Sequence, residues 1–213
     1  DFTLSKLMIW NSIKNMRPLA KAVMAERQTY GADILKKTKE ELIKENEKIT
    51  IVTMQASVTQ GAHSGNNGSN HTNMNINQSD FIKYGWAGRT INTYFADKYG
   101  EENVEYLSAA IGGTNTRQML YRLQRDVLAH KPDVVFVDAP INDTWSNDYD
   151  VAAFTEGIVR QLLKAKHQPV IVLNCVGVFT ASSGVYTFTD KSSDTAVKNK
   201  NLSDLLTEKY GLV

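Results

Sequence analysis

The sequence predicts an α/β protein, a three-layer α/β/α sandwich built on a mainly parallel sheet. Short β-branched runs recur along the chain, among them Ile49-Thr50-Ile51-Val52, Val134-Val135-Phe136-Val137 and Val170-Ile171-Val172-Leu173. They are continuously apolar rather than alternating, as strands covered on both faces are. Segments with apolar residues at helical spacing separate them. A strand, a helix and a parallel strand join by a right-handed crossover, so helices fall on both sides of the sheet.

The first 46 residues read as a separate helical extension. Met8, Ile9, Ile13, Met16, Leu19, Val23 and Met24 recur at helical spacing, and Gly31 breaks the pattern. A second helix is expected over about Ala32–Asn46, with Ile34, Leu35, Leu42 and Ile43 on one face. The α/β domain then occupies residues 47–213. Its first strand is expected over Lys48–Met54. A loop from Gly61 to Asp80 follows, rich in Asn, Gly and Ser, and its length points to function or mobility. A helix over Trp86–Tyr99 stops at Gly100. The second strand covers Val104–Ala109. The helix over Thr116–Ala129 turns Leu120, Leu123, Val127 and Leu128 inward, and Pro132 bars its continuation. The third strand is Val134–Asp138. The next helix, Val151–Lys166, carries Phe154, Ile158, Leu162 and Leu163 on one face. The fourth strand is Val170–Val176, and the last helix runs from Asp194 to Tyr210, ahead of Gly211. A fifth strand would begin at Leu212-Val213, where the chain stops.

The 213 residues suit one domain of ordinary size, with 42% hydrophobic and 22% charged residues. A net charge of +1 gives no sign of a nucleic-acid partner, and no apolar run is long enough to span a membrane. The chain begins at Asp1 without a secretory signal pattern, which fits a mature or excised piece. The compartment stays open, with an extracellular or cell-surface place favoured over a cytoplasmic one. The single Cys175 rules out an internal disulfide and reads as a small core residue. No pair of histidines has metal-ligand spacing on a helix, and neither metal nor cofactor is expected.

Three polar segments follow strand-like runs, and in an open α/β sheet such loops meet at the carboxyl edge, where ligands bind. Gln55-Ala56-Ser57-Val58-Thr59-Gln60-Gly61 follows the first strand and offers a serine hydroxyl. Ile111-Gly112-Gly113-Thr114 follows the second, and a glycine there lets backbone approach a substrate. Pro140-Ile141-Asn142-Asp143 follows the third, and Asn142 supplies an amide donor. Taken singly, these are a capping serine, a tight turn and a turn cap. Taken together, they are the parts of an acyl-transfer site: a nucleophile and donors aimed at a developing oxyanion.

The order of these motifs resembles the SGNH (GDSL-type) hydrolases, esterases and lipases of flavodoxin-like fold. Residues 55–61 are similar to the family's Gly-Asp-Ser-Ile-Thr-x-Gly block. Ser108-Ala109-Ala110-Ile111-Gly112-Gly113-Thr114 is similar to its Asn-Ala-Gly-Ile-x-Gly-Thr, and residues 140–143 to its Gly-x-Asn-Asp. The stretches Arg122–Leu128 and Lys131–Val137 also resemble the family, and the likeness runs from about Lys48 to the C-terminus. Gln55, Ala56, Ala110 and Pro140 depart from the family pattern. The resemblance implies Ser57 as nucleophile and, through its N–H, as an oxyanion donor. Gly113 and Asn142 complete the oxyanion hole. It implies removal of an acetyl or other acyl group, often from a carbohydrate, through an acyl-enzyme and without a metal.

The family's Asp-x-x-His block has no counterpart up to Val213. Its histidine, the base, would belong to a later segment or to a second chain that supplies the missing strand. His63, six residues beyond Ser57 in the long loop, could reach the site, although a solvent-exposed loop histidine is the plainer reading. His130 and His167 fall at helix C-termini and read as structural. His63, Trp145 and Asp143 are the candidate substrate contacts, with Trp145 and Tyr149 able to wall a pocket or to pack the loop. The substrate is then a small-molecule or glycan ester. The alternative is an inactive domain of the same fold that binds carbohydrate or serves assembly.

Overall fold

A computed structural model describes residues 38–54, 56–60, 86–138, 142–143, 148–174, 179–182, 185–188 and 194–212. The expected helices before residue 38, the whole Gly61–Asp80 loop with His63, and Trp145 and Cys175 lie outside the described residues.

Four strands form a parallel sheet in the order β2-β1-β3-β4: β1 Ile49–Met54, β2 Val104–Ser108, β3 Val134–Asp138 and β4 Val170–Asn174. Ile49 pairs with Val104, Ile51 with Val134, and Val134 with Val170. Every residue of β1, Thr50 and Thr53 included, is buried, as in a central strand covered on both faces. Alternate residues face opposite ways. Val52, Met54, Val135, Val137 and Ile171 join one core with Met119, Leu123, Ile158, Leu162 and Leu206. Those partners come from helices α4 (Thr116–Asp126), α5 (Asp148–Lys164) and α6 (Asp194–Tyr210). Ile49, Ile51, Val134 and Val170 face the other way and pack with Leu42, Ile91 and Phe95. Two cores on two faces give the three layers expected.

The departures from expectation are local. The helix expected over Ala32–Asn46 is corrected within the described residues. Thr38 is extended, with φ −77° and ψ 168°, and caps a new four-residue helix, α1, at Lys39–Leu42. Its side chain accepts from the Glu41 N–H while Glu41 accepts from the Thr38 N–H, a reciprocal pair that starts a helix and so interrupts any earlier one. The chain then bends over residues 44–48 into β1. Residues 42–46 are not loosely attached. Leu42 is in the core, and the buried Asp133 carboxylate accepts from the N–H groups of Lys44 and Thr50, at 2.8 Å each.

The helix before Gly100, α3, runs through Trp86–Thr90, Ile91–Phe95 and Ala96–Tyr99, and its middle part is a π-turn. A π-turn rotates less per residue than an α-turn. This keeps Ile91 and Phe95 both on the sheet. Gly100 closes the helix at φ +87°, as its position suggests. A short helix, α2 (Ser57–Gln60), follows β1, and an antiparallel hairpin of β5 (Phe179–Ser182) and β6 (Val185–Phe188) stands between β4 and α6. The expected fourth strand ends at Asn174 within the described residues.

His130 and His167 both precede strands, at the amino edge of the sheet. His130 is exposed, whereas His167 is 8% exposed and its Nε2 has no hydrogen-bond partner among the described residues. His167 is thus a buried imidazole between α5 and β4. Burial pushes its pKa below the ordinary imidazole value; Glu45 pulls the other way, and Lys131 adds to the fall. The unfolded chain takes up the proton near pH 6.5 while the folded chain resists it. The contribution of His167 to stability is thus complete above about pH 6.5 and declines as pH falls below it. Urea midpoints between pH 5 and 8 should fall on the acid side. His167→Leu should flatten that slope by up to about 1.4 kcal/mol per pH unit. Parallel profiles for the two proteins would refute this.

Candidate active site

The sheet order has a switch point between β1 and β3: from β1 the chain passes to β2 on one side and later to β3 on the other. Ligands of open parallel sheets bind at the carboxyl end of such a point. The carboxyl ends are level, since Thr53 pairs with Ser108 and Met54 with Val137. The three polar segments therefore leave the sheet side by side.

Ser57 begins α2 three residues beyond β1 and is half-buried. Ala56 before it is fully buried.

The segment after β2 is a tight turn. The Thr114 N–H and hydroxyl both donate to the Ile111 carbonyl, at 3.3 and 2.8 Å. Gly113 holds φ +75°, which glycine adopts without strain, and a Cβ built there would meet nothing within 4 Å. Among the described residues, that position therefore borders open space.

The segment after β3 is fastened to that turn. Asn142 Nδ2 donates to the Thr114 carbonyl at 3.0 Å. The next residue, Asp143, is 7% exposed and accepts from Thr116 three times: from the N–H at 3.1 and 3.3 Å, and from the hydroxyl at 2.7 Å. Thr116 opens α4 behind its cap Asn115, so the carboxylate also meets the positive end of the helix dipole. Arg122, one and a half turns further on, reaches back to donate to the Ala109 carbonyl at 2.6 Å and to Asp126 at 3.0 Å. Burial lowers the Arg122 pKa, and Asp126 opposes that fall. Burial alone would raise the Asp126 carboxyl, but hydrogen bonds from Arg125 and Arg122 bring it below its ordinary value.

The structure thus sets Gly113 and Asn142 on directly bonded loops and Ser57 on the neighbouring loop of the same edge. His63 and Trp145 lie outside the described residues, and Tyr149 is 58% exposed on the first turn of α5. The contacts of Thr116 and Arg122 are not legible in the sequence. Their partners lie 27 and 13 residues away, and nothing in the local pattern announces either bond. His130 and His167 sit at the far edge of the sheet. A five-residue strand, about 16 Å, separates them from the loops.

Asp143→Ala should leave the buried Thr116 donors unpaired and cost about 2–3 kcal/mol. The Thr116→Val and Asp143→Ala effects should be non-additive by at least about 1 kcal/mol in urea unfolding. Additive effects would refute the clamp.

Comparison with known proteins agrees with the topology. No curated protein matches by sequence. Among solved structures, a catalytic mutant of an acetylxylan esterase from Geobacillus stearothermophilus superposes with a TM-score of 0.57 at 16% identity, over 80% of this chain and 77% of that one. Another acetyl xylan esterase gives 0.50 at 18% identity, over 76% and 72%. A GDSL-like lipase from Bacteroides thetaiotaomicron gives 0.50 at 16%, over 82% and 71%. At these identities the likeness speaks for the fold. The model of one family matches residues 56–210, from just before Ser57 to the end of α6, and by it the chain belongs to the GDSL-like lipase/acylhydrolase family.

Proposed function

We propose that the protein is a serine ester hydrolase that removes acetyl groups from a carbohydrate. The observation that carries this reading is the bond between Asn142 and the Thr114 carbonyl. It fixes an amide donor beside a glycine turn that borders open space, one strand away from a serine.

In this reading the Ser57 hydroxyl oxygen attacks the ester carbonyl carbon as its proton passes to a base. The carbonyl oxygen becomes an oxyanion, held by the N–H groups of Ser57 and Gly113 and by Asn142 Nδ2. An amide nitrogen carries two hydrogens, so Asn142 can serve Thr114 and the oxyanion together. Collapse of the tetrahedral intermediate breaks the bond to the sugar oxygen, which leaves with the proton. Water, activated by the same base, then attacks the acyl-enzyme, releasing acetate and restoring Ser57. Asp143 acts as a positioning residue, since Thr116 already engages its carboxylate. His130 and His167 precede β3 and β4, at the opposite edge of the sheet from Ser57, which speaks against either as the base. His63 is the histidine nearest Ser57 in sequence, and with Trp145 it stands as a proposed contact. Support for a carbohydrate ester comes from the acetylxylan esterases that share the fold.

Treating the natural full-length protein with a fluorophosphonate tests the reading. One phosphonyl group should attach, mapped to Ser57, with loss of p-nitrophenyl acetate hydrolysis. Labelling that persists in Ser57→Ala would overturn it. Glycan binding without labelling would shift the reading to an inactive carbohydrate-binding domain.

A further inference from the structure

The outer surface of α4 carries an arrangement that neither the core nor the proposed chemistry uses. Tyr121 is 70% exposed, one of three large hydrophobic residues so exposed among the described residues. It is not a loose side chain. Arg117, one turn earlier, donates from Nε to the Tyr121 hydroxyl at 3.0 Å, and its guanidinium lies 5.6 Å from the Tyr121 ring centre. The same guanidinium lies 6.0 Å from the ring of Phe154 on α5, so the cluster bridges two helices. The tyrosine is thereby held in place while most of its surface stays in water.

The position is informative. Arg117 directly follows Thr116, the residue clamped by Asp143, and so lies at the end of α4 nearest the site. Five residues of helix rise about 7.5 Å. Side chains on a helix also lean toward its N-terminus, which carries the Tyr121 ring back toward the site.

We infer that Arg117, Tyr121 and Phe154 form a stacking subsite for the main chain of a xylan-type polysaccharide whose acetyl ester is cleaved at the adjacent edge. This deepens the proposed function and rests on it. A sugar ring offers C–H groups on its faces and hydroxyls at its rim. A held aromatic ring answers the first, and the Arg117 guanidinium answers the second. A stable protein partner would need roughly 800 Å² with an apolar centre. Among the described residues the exposed large hydrophobic ones are three tyrosines: Tyr94 on α3, Tyr121 on α4 and Tyr149 on α5. They are spread over three helices and make no such centre. Continuity with the ester site favours the chain that bears the ester.

Three measurements on the natural full-length protein test this. Tyr121→Ala should lower kcat/KM on acetylated xylan about tenfold, chiefly through KM, as loss of one aromatic anchor does. Its hydrolysis of p-nitrophenyl acetate should stay within about twofold of wild type, as for a surface change away from the chemistry. Migration through a gel containing deacetylated xylan should be retarded for wild type and Tyr121→Phe, and not for Tyr121→Ala. Wild type that is not retarded, or Tyr121→Ala that keeps both polymer hydrolysis and retardation, overturns the subsite. The gel assay needs no catalysis, so its outcome stands apart from that of the serine mechanism. Tyr121-dependent retardation of Ser57→Ala supports the subsite even where fluorophosphonate labelling fails.

Discussion

Ser57→Ala is expected to lower kcat for p-nitrophenyl acetate at least about 10⁴-fold in the natural full-length protein, with little change in stability. A serine nucleophile splits a difficult displacement into two easier ones, and its removal leaves only the donors of the oxyanion hole to help water attack directly. The fold should tolerate the change. Ser57 is the first residue of a four-residue helix and is half-buried, so alanine removes one hydroxyl and opens no cavity. The thermal midpoint should move by no more than about 2–4 °C, corresponding to 1 kcal/mol or less. Equal hydrolysis rates for the two proteins would remove Ser57 from the mechanism. A lowered rate accompanied by a large drop in midpoint would trace the loss to folding.

The second large effect is expected at Asn142. Asn142→Ala should reduce kcat by about 10²–10³, or 2.7–4 kcal/mol of transition-state stabilisation, with KM almost unchanged. The split follows from when the contact forms. The ester carbonyl oxygen is only weakly charged in the bound substrate and becomes a full oxyanion later, so an amide aimed at it acts mainly on the transition state. Loss of the bond to Thr114 adds about 1 kcal/mol of destabilisation. Asn142→Asp separates the two roles of the side chain. It keeps the size but sets a carboxylate against both the Thr114 carbonyl and the oxyanion, so its kcat should fall below that of Asn142→Ala. A change confined to KM in either variant would refute the oxyanion role.

What the sequence makes legible here is whatever depends on local pattern. A strand buried on both faces cannot afford polar alternation, and the all-buried β1 follows from its run of apolar and threonine residues. Gly100 stands at a helix stop because few other residues adopt φ +87° there. Asn142 and Gly113 are readable because each follows a readable strand. The less legible features depend on distant partners or on competition between local signals. Asp133 reads as a residue before a strand, yet its carboxylate binds the backbone of Lys44 and Thr50, 89 and 83 residues away. Thr116 reads as a helix opener, and only the fold shows that Asp143 engages it. At Thr38 two local readings compete. The apolar spacing suggests a helix running through it, and the capping pair with Glu41 prevails because an N-cap must be extended.

The strand order also governs how the molecule can be made. β1 is one of the two inner strands and the first of the four to leave the ribosome, yet it pairs only with β2 and β3. Ile49 must wait for Val104, and Ile51 for Val134. During synthesis at about 5–20 residues per second, β1 thus spends several seconds with both edges unpaired. Contacts so distant in sequence also slow folding itself. A nascent chain halted before Val134 would present an open strand of apolar and threonine residues, the kind of template on which chains aggregate.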